Sequence, residues 1–512
     1  MIKIQIRHKL YLIIILILAG GIYFYNLDKE SLLTDEYFSL YNAEQSLTEI
    51  ILGHQKETNP NTLPPLYEII MHFWLKIFGT GEFPQRSFSA FLGIVSVYII
   101  YRLSRLLFDE KTGLLACLFA ALSFSWFSFF RQNRCYSLFI CLSLLSFYLF
   151  FYYLKNKQSR LSFAILIITN ICLVYTHYFA FLVVAIELLL STLEIRRDVR
   201  RVITNILQVC LWIIFAYIPW YPNLFYDINR EPLMNIKIYY SDLGLRLYSI
   251  ATLLFSDFHI EWDPLLTLLY IPLLIIGWIK LNKAGTTKFR HLPLCLALIF
   301  LVPFITIYLV TLSDRSRYYA PFSFPLFMLL ALGIQQINKQ KLGKVLLLPI
   351  VVFTATFNFI DFYDFFHNPL HENWKQAAQY IKEIPNYKNE EMVFVFQTKY
   401  NPPVFAYYYW DKKIAVSFID NINNLESYEK DLSTIDTKHK IYLITDDPRK
   451  ETFFEKLELF PEDTWIWIFR YHDYLSPLYI RLRSNSRYFF HQIPLNPEVP
   501  QIDFFLLKKI KK

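Results

Sequence analysis

LYLIIILILAGGIYFYNL, Leu10–Leu27, carries no charged side chain and follows the basic start MIKIQIRHK. A helix of that length covers ~27 Å, close to the ~30 Å hydrocarbon thickness of a bilayer. No A-x-A-like cleavage site follows it, so the run reads as an uncleaved first span rather than a secretory signal. Further uncharged runs recur along the chain. They are FSAFLGIVSVYIIY (88–101), LLACLFAALSFSWFSFF (114–130), YSLFICLSLLSFYLFFYYL (136–154) and LLTLLYIPLLIIGWI (265–279). Of 512 residues, 55% are hydrophobic, 19% aromatic and only 18% charged. That composition is a polytopic α-helical membrane protein's, with membrane lipid as its surroundings. The net charge of +8 is assigned to loop Lys and Arg, so no nucleic-acid partner is expected. The six cysteines lie in or beside hydrophobic runs without a CxxC or Cys/His spacing, which argues against a disulfide framework or a structural zinc.

Orientation follows from the basic loops. With Lys3, Arg7 and Lys9 on the cytosolic side, the first span delivers the acidic loop from residue 28 outside. Spans near 84–101, 112–130 and 136–154 then alternate, returning to Arg102, Arg105 and Lys111, and later to Lys155, Lys157 and Arg160. The run Leu161–Ile195 is basic on both flanks. It is therefore expected to cross twice, turning at THY, which places His177 at the outer surface. Spans near 203–221, 264–279, 293–312, 318–335 and 345–361 bring the expected total to about eleven transmembrane helices, N-terminus in and C-terminus out. The stretch 64–79, with two prolines and with Glu68, His72 and Lys76, is expected to lie on the outer surface, as is Glu36–His54, where Tyr37, Leu40, Tyr41, Leu47, Ile50 and Ile51 recur at helical spacing. Glu68 and His72 at i and i+4 could pair on a metal, but a polar stripe on an interfacial helix is the expected reading.

After Asp361 the composition changes. HENWKQAAQYIKEIP (371–385) reads as a helix. MVFVFQ (392–397), IAVSFI (414–419), IYLITDD (441–447) and IDFFLLKKI (502–510) read as strands, and NNLESYEKDL (423–432) and KETFFEKLELF (450–460) as helices. Two domains are expected: a membrane domain, 1–361, with a large first outer loop, 28–83; and a soluble extracytoplasmic α/β domain, 362–512. YYYW (407–410) is expected in its core.

The outward loops gather charge. They hold Asp35 and Glu36 in LLTDEYFSLYNAEQ, Pro64, Pro65 and Tyr67 in NTLPPLYE, Arg131, Arg134 and Tyr136 in RQNRCYSL, His177 and Tyr178 in THY, and Asp314, Arg315, Arg317, Tyr318 and Tyr319 in SDRSRYYAP. Carboxylates and arginines at a bilayer interface suit a ligand with an anionic head and a lipid tail. Arginine offers a planar, permanently charged fork to phosphate oxygens, and a carboxylate can take a proton from an attacking hydroxyl.

DEYFSLYNAEQ, NTLPPLYEIIMHFWLKIFGTGEFPQRSFSAFLG, LSFSWFSFFRQNRCYSL and THYF together resemble the polyprenyl-phosphate-sugar-dependent glycosyltransferases of the GT-C fold. Narrowly, they are similar to bacterial relatives of the protein O-mannosyltransferases and of the lipid A aminoarabinose transferase. RYYAPFSFPLFMLLALG and HENWKQAAQYI extend the resemblance more weakly. Two positions depart from the family pattern. Leu63 stands where a histidine commonly precedes the double proline, and Asn133 replaces a small Ala before Arg134.

The resemblance implies a bacterial inner-membrane enzyme that takes a sugar from a polyprenyl-phosphate donor to a glycan, glycolipid or protein acceptor, with inversion. It implies Asp35 as general base and Glu36 as a residue that orients the loop or serves a metal or sugar site. Arg134, Tyr136, Arg131, Arg317 and His177 would hold the donor phosphate, and a divalent cation is a possible cofactor, left open. A flippase carrying an outer domain, or a non-enzymatic envelope assembly factor, is the alternative. The spans hold few ionisable residues and no paired broken segments, which weighs against transport.

Overall fold

The structure is a computed structural model. It describes residues 2–52, 63–156, 159–193, 199–230, 263–283, 289, 291–311, 316–339, 356, 362–363, 374–383, 392–396, 402–410, 439–443, 465–471, 488–491 and 502–509. The chain divides into two compact units. One comprises Met1–Leu27, Gln45–Gly53 and Thr62–Tyr363; the other includes Asp28–Glu44 and Asp364–Lys512.

The first unit is helical. After α1 (Ile2–Phe24) come α3 (Leu47–Leu52), α4 (Leu66–Phe78), α5 (Glu82–Leu107), α6 (Glu110–Leu122), α7 (Phe124–Phe130) and α8 (Tyr136–Lys155); α2 belongs to the second unit. Then follow α9 (Arg160–Val174), α10 (Ala180–Thr192), α11 (Val199–Tyr217), α12 (Tyr221–Arg230), α13 (Asp263–Leu281), α14 (Leu292–Thr311) and α15 (Phe324–Ile337). Among the described residues, five helices are long and apolar enough to cross a membrane, or six if α6 and α7 count as one broken span. α9, α10, Tyr270–Leu281 and Leu292–Ile307 are shorter apolar helices. α4 is not among the spans, and α9 and α10 turn back at THY. Apart from residue 356, the run read as a span at 345–361 lies outside the described residues.

The run 112–130 is not one straight span. It bends by 65° between α6 and α7. Ser123 is the cause: its backbone is extended, and its Oγ accepts the Trp126 N–H at 3.4 Å, so a serine N-cap restarts the helix.

Three buried polar side chains tie α8, α9 and α10 together. Ser146 Oγ lies 2.5 Å from both Asn170 Oδ1 and Glu187 Oε1, and Asn170 Nδ2 donates to Glu187 Oε2 at 2.8 Å. Glu187 thus pairs across helices rather than sitting alone in an apolar run. α13 and α15 cross glycine to glycine. A Cβ on Gly277 would fall on the Leu329 carbonyl oxygen, and one on Gly333 on that of Leu273. Small residues let the two backbones approach this closely.

The second unit holds α2 (Thr34–Ala43), α16 (Trp374–Glu383), α17 (Pro402–Trp410) and a five-stranded sheet in the order β2-β1-β3-β5-β4. β1 (Met392–Phe396) runs parallel to β2 (His439–Leu443) and β3 (Trp465–Tyr471), with Phe394 opposite Ile441 and Trp467. β5 (Ile502–Lys509) is antiparallel to β3 and to β4 (Tyr488–His491). The runs read as strands at 392–397, 441–447 and 502–510 correspond to β1, β2 and β5. The run read as a strand at 414–419 and those read as helices at 423–432 and 450–460 lie outside the described residues. YYYW ends α17, where Tyr409 is buried and Tyr407 and Tyr408 are half-buried.

Candidate functional site

The double proline sets the geometry of the first unit's site. Pro64 and Pro65 cannot donate backbone hydrogen bonds and restrict the residues before them. Pro65 is the N-cap of α4, and the Leu66 N–H reaches the Tyr175 carbonyl at 3.0 Å. That bond ties the proline turn to the loop carrying His177.

One residue on, Tyr67 is fully buried. Its hydroxyl donates to Asn133 Oδ1 at 3.0 Å and lies 3.3 Å from Ser89 Oγ. Asn133 Nδ2 donates to Gln85 Oε1 at 3.2 Å. Ser137 Oγ lies 2.9 Å from Ser89 Oγ and 3.2 Å from the Arg134 carbonyl oxygen. The loop between α7 and α8 is thereby bracketed on both sides of Arg134. This is what the departure from Ala to Asn at position 133 supplies.

Arg131 and Arg134 part company. The Arg131 guanidinium lies on the C-terminal carbonyls of α1, with Nη1 2.5 Å from Tyr25 O and 3.2 Å from Tyr23 O, and Nη2 3.2 Å from Asn26 O. Arg86 Nη1 joins it on Leu27 O at 2.8 Å. A cation at the negative end of a helix is the favourable arrangement. These contacts make Arg131 a cap on the first span.

Arg134 instead joins residues from distant loops. Its guanidinium carbon is 5.7 Å from the Tyr136 ring centre, and that of Arg317 is 5.3 Å from the same ring and 5.4 Å from Tyr318. His177 lies 5.8 Å from both tyrosine rings and stacks on Phe139 at 5.0 Å. The Phe179 N–H donates to His177 Nδ1 at 3.1 Å, so the ring proton belongs on Nε2. Burial, with Arg134 and Arg317 nearby, pulls His177 down to about 3. The imidazole is neutral and offers an N–H rather than a positive charge.

The cluster sits at the N-terminus of α8, whose dipole favours an anion there. Two guanidiniums, a phenol and an imidazole N–H converge on one place, and like charges so close are relieved by an anion between them.

Glu68, one residue from Tyr67, is buried, and its Oε2 has no hydrogen-bond partner among the described residues. Burial pushes its carboxyl up to about 7, an effect that Arg134 partly offsets. His72 on the same face is buried too. The polar stripe read on the surface of α4 thus faces inward. Among the described residues no group of three or more His, Cys, Asp and Glu could hold a metal ion.

Asp35 and Glu36 are in the second unit, in the first turn of α2. Glu36 is fully buried, and its Oε2 accepts the Leu33 N–H at 2.9 Å, which fixes the entry into the helix. Asp35 is half-buried. Asp314 and Arg315 lie outside the described residues. Sequence reasoning missed the roles of Tyr67, Gln85, Ser89 and Ser137. The only signal was the placement of Tyr67 directly after the double proline and Leu66.

Residues 62–221 match the family described as dolichyl-phosphate-mannose-protein mannosyltransferase. No curated protein matches the chain by sequence. Among solved structures, ArnT from Cupriavidus metallidurans in the apo state is similar with a TM-score of 0.57 at 11% identity, covering 98% of this chain and 98% of that one. The same protein bound to undecaprenyl phosphate gives 0.56 at 11%, covering 96% and 97%. The Archaeoglobus fulgidus oligosaccharyltransferase in complex with Zn and sulfate gives 0.54 at 12%, covering 95% and 74%. At these identities the likeness is one of fold.

Proposed function

We propose that this chain, which has the GT-C fold and a mannosyltransferase-family segment over residues 62–221, moves a sugar from a polyprenyl-phosphate donor to an acceptor. It is a multi-pass membrane glycosyltransferase. The observation that carries the reading is that the matched segment contributes Arg134, Tyr136 and His177 to one cluster with Arg317.

In the reaction, an acceptor oxygen forms a bond to the anomeric carbon as the bond from that carbon to the phosphate oxygen breaks. In-line attack inverts the centre. The electron pair leaves with the polyprenyl phosphate, and the acceptor proton goes to the base. Arg134 and Arg317 offset the charge that grows on the leaving phosphate, while Tyr136 and the His177 Nε2–H donate to its oxygens. Asp35 is the base by the family resemblance, and Glu36 orients its helix. The undecaprenyl phosphate bound by ArnT supports that class of donor. The basic loops support eleven crossings with the N-terminus in the cytosol of a bacterium and the α/β unit outside.

The test is a transfer assay with the purified full chain, alongside mass spectrometry of the lipids of cells lacking it. One polyprenyl-phosphate sugar should accumulate in the null strain. Wild type should clear it, and Asp35→Asn and Arg134→Gln should not, at equal protein level. Undiminished transfer by Asp35→Asn would remove Asp35 as the base. No transfer by wild type from any such donor would turn the reading toward lipid-linked sugar transport or assembly.

A further inference from the structure

At the end of α8 remote from Arg134, a shallow crevice lies among α8, α9, α10 and α11. Phe150, Leu166, Leu188 and Ile206 are among its apolar walls. Glu187 lines it as well, with its carboxyl engaged by Ser146 and Asn170. Ser191, Asn205 and Tyr153 are the other polar lining groups, and all three are hydrogen-bonded. Ser191 Oγ donates to the Glu187 carbonyl at 2.8 Å, and Asn205 Nδ2 donates to the Tyr153 hydroxyl at 2.8 Å. The lining therefore offers hydrocarbon contact and little unmet hydrogen bonding.

The mouth is different. Lys155 directly follows the lining residue Leu154, Arg160 stands one turn before Phe163, and Arg200 and Arg201 directly precede Val202. All four are exposed. Apolar walls within, and four exposed cations on three helices one to three residues along the chain from that lining, match one chemistry in the surrounding bilayer: an acyl chain joined to an anionic headgroup.

We propose that this crevice binds an anionic glycerophospholipid, one acyl chain between α10 and α11 and the phosphate among Lys155, Arg160, Arg200 and Arg201. The site lies at the far end of α8 from the Arg134 cluster, and it does not depend on what reaction that cluster serves.

The test is native mass spectrometry of the purified full chain, titrated with phosphatidylglycerol or with phosphatidylcholine of the same chains. Phosphatidylglycerol should be retained at concentrations where phosphatidylcholine is not. Each exposed arginine near a headgroup contributes about fivefold, so R200Q/R201Q should lower retention by roughly twenty-fivefold. Ser191→Trp, which fills the crevice, should lower retention of the lipid while thermal melting shows a folded protein; if that variant does not fold, the surface arginines still decide. Equal retention of the two lipids would overturn the proposal. So would retention unchanged in R200Q/R201Q, or lost in Arg134→Gln instead, since the lipid would then sit elsewhere.

Discussion

Tyr67, Asn133 and Gln85 do at the residue scale what a phosphate-binding arginine needs done: they hold its backbone still. Asn133 uses its oxygen for Tyr67 and its nitrogen for Gln85, so removing the amide leaves two buried groups short of a partner, at about 1–3 kcal/mol each. Asn133→Ala should lower kcat/KM at least tenfold. Added to Arg134→Gln it should make matters no worse, because both act through one guanidinium. Fully additive losses in the transfer assay would show that Asn133 merely stabilises the fold. Glu68 adds a pH signature. Its folded value, about 7, lies above the ordinary 4.5, so the folded state holds the proton more tightly. Its contribution is complete below pH 4.5 and is lost as the pH rises through 7. Glu68→Gln should flatten that part of the profile of melting temperature against pH, and an unchanged slope would contradict the assignment. Much of this site was legible one residue at a time: arginines, a tyrosine and a histidine in outward loops suggested an anion. What the sequence could not separate was Arg131 from Arg134. The two differ only in whether the carbonyls of α1, more than a hundred residues earlier, lie within reach.

Among the elements, the α8–α9–α10 junction rests on proton counting. Three contacts close a ring among Ser146, Asn170 and Glu187. The serine hydroxyl supplies one hydrogen. The asparagine amide supplies one more, through its nitrogen, because its oxygen faces the other neighbour. The third contact takes a hydrogen from the carboxyl of Glu187, which therefore acts as a neutral acid joining helices. Glu187→Gln presents one donor and one acceptor in the same shape and should leave melting temperature and activity near wild type. Glu187→Leu strands Ser146 and Asn170 and should cost on the order of 1–2 kcal/mol. A Gln variant as unstable as the Leu variant would mean that the group works as an anion. Apolar length made these helices readable in the sequence, including the turn between α9 and α10 at THY. The partners of Glu187 were not readable, because which faces meet depends on how tightly α9 and α10 turn back on one another. The bend at Ser123 is a milder case: a serine between two apolar stretches is an ordinary N-cap signal, outweighed in the reading by the unbroken hydrophobicity around it.

On the scale of the whole molecule, one compact unit runs to Tyr363 and the other takes up from Asp364. Asp28–Glu44 groups with the C-terminal residues in one compact unit. The Leu32 N–H donates to the Tyr408 hydroxyl at 2.7 Å across 376 residues of sequence, the Tyr37 ring packs 6.1 Å from Tyr407, and Lys375 Nζ reaches the Asp28 carbonyl at 3.4 Å. Contacts at that separation leave no periodic trace in either segment, so composition alone kept the loop and the α/β unit apart. The consequence concerns Asp35, which α2 carries. α17 braces the chain just before α2 and one residue within it, so the C-terminal residues position the proposed base. Tyr408→Phe removes only the oxygen that accepts the Leu32 N–H. It should lower kcat several-fold with donor KM unchanged, since the residues proposed to hold the phosphate belong to the other unit. Deleting residues 364–512 should abolish transfer while the membrane unit still inserts and still retains a polyprenyl phosphate in native mass spectrometry. If the truncated chain transferred sugar at the full rate, the brace would be irrelevant to Asp35. If it bound no polyprenyl phosphate at all, the Arg134 cluster would not stand on its own as the donor's anion site.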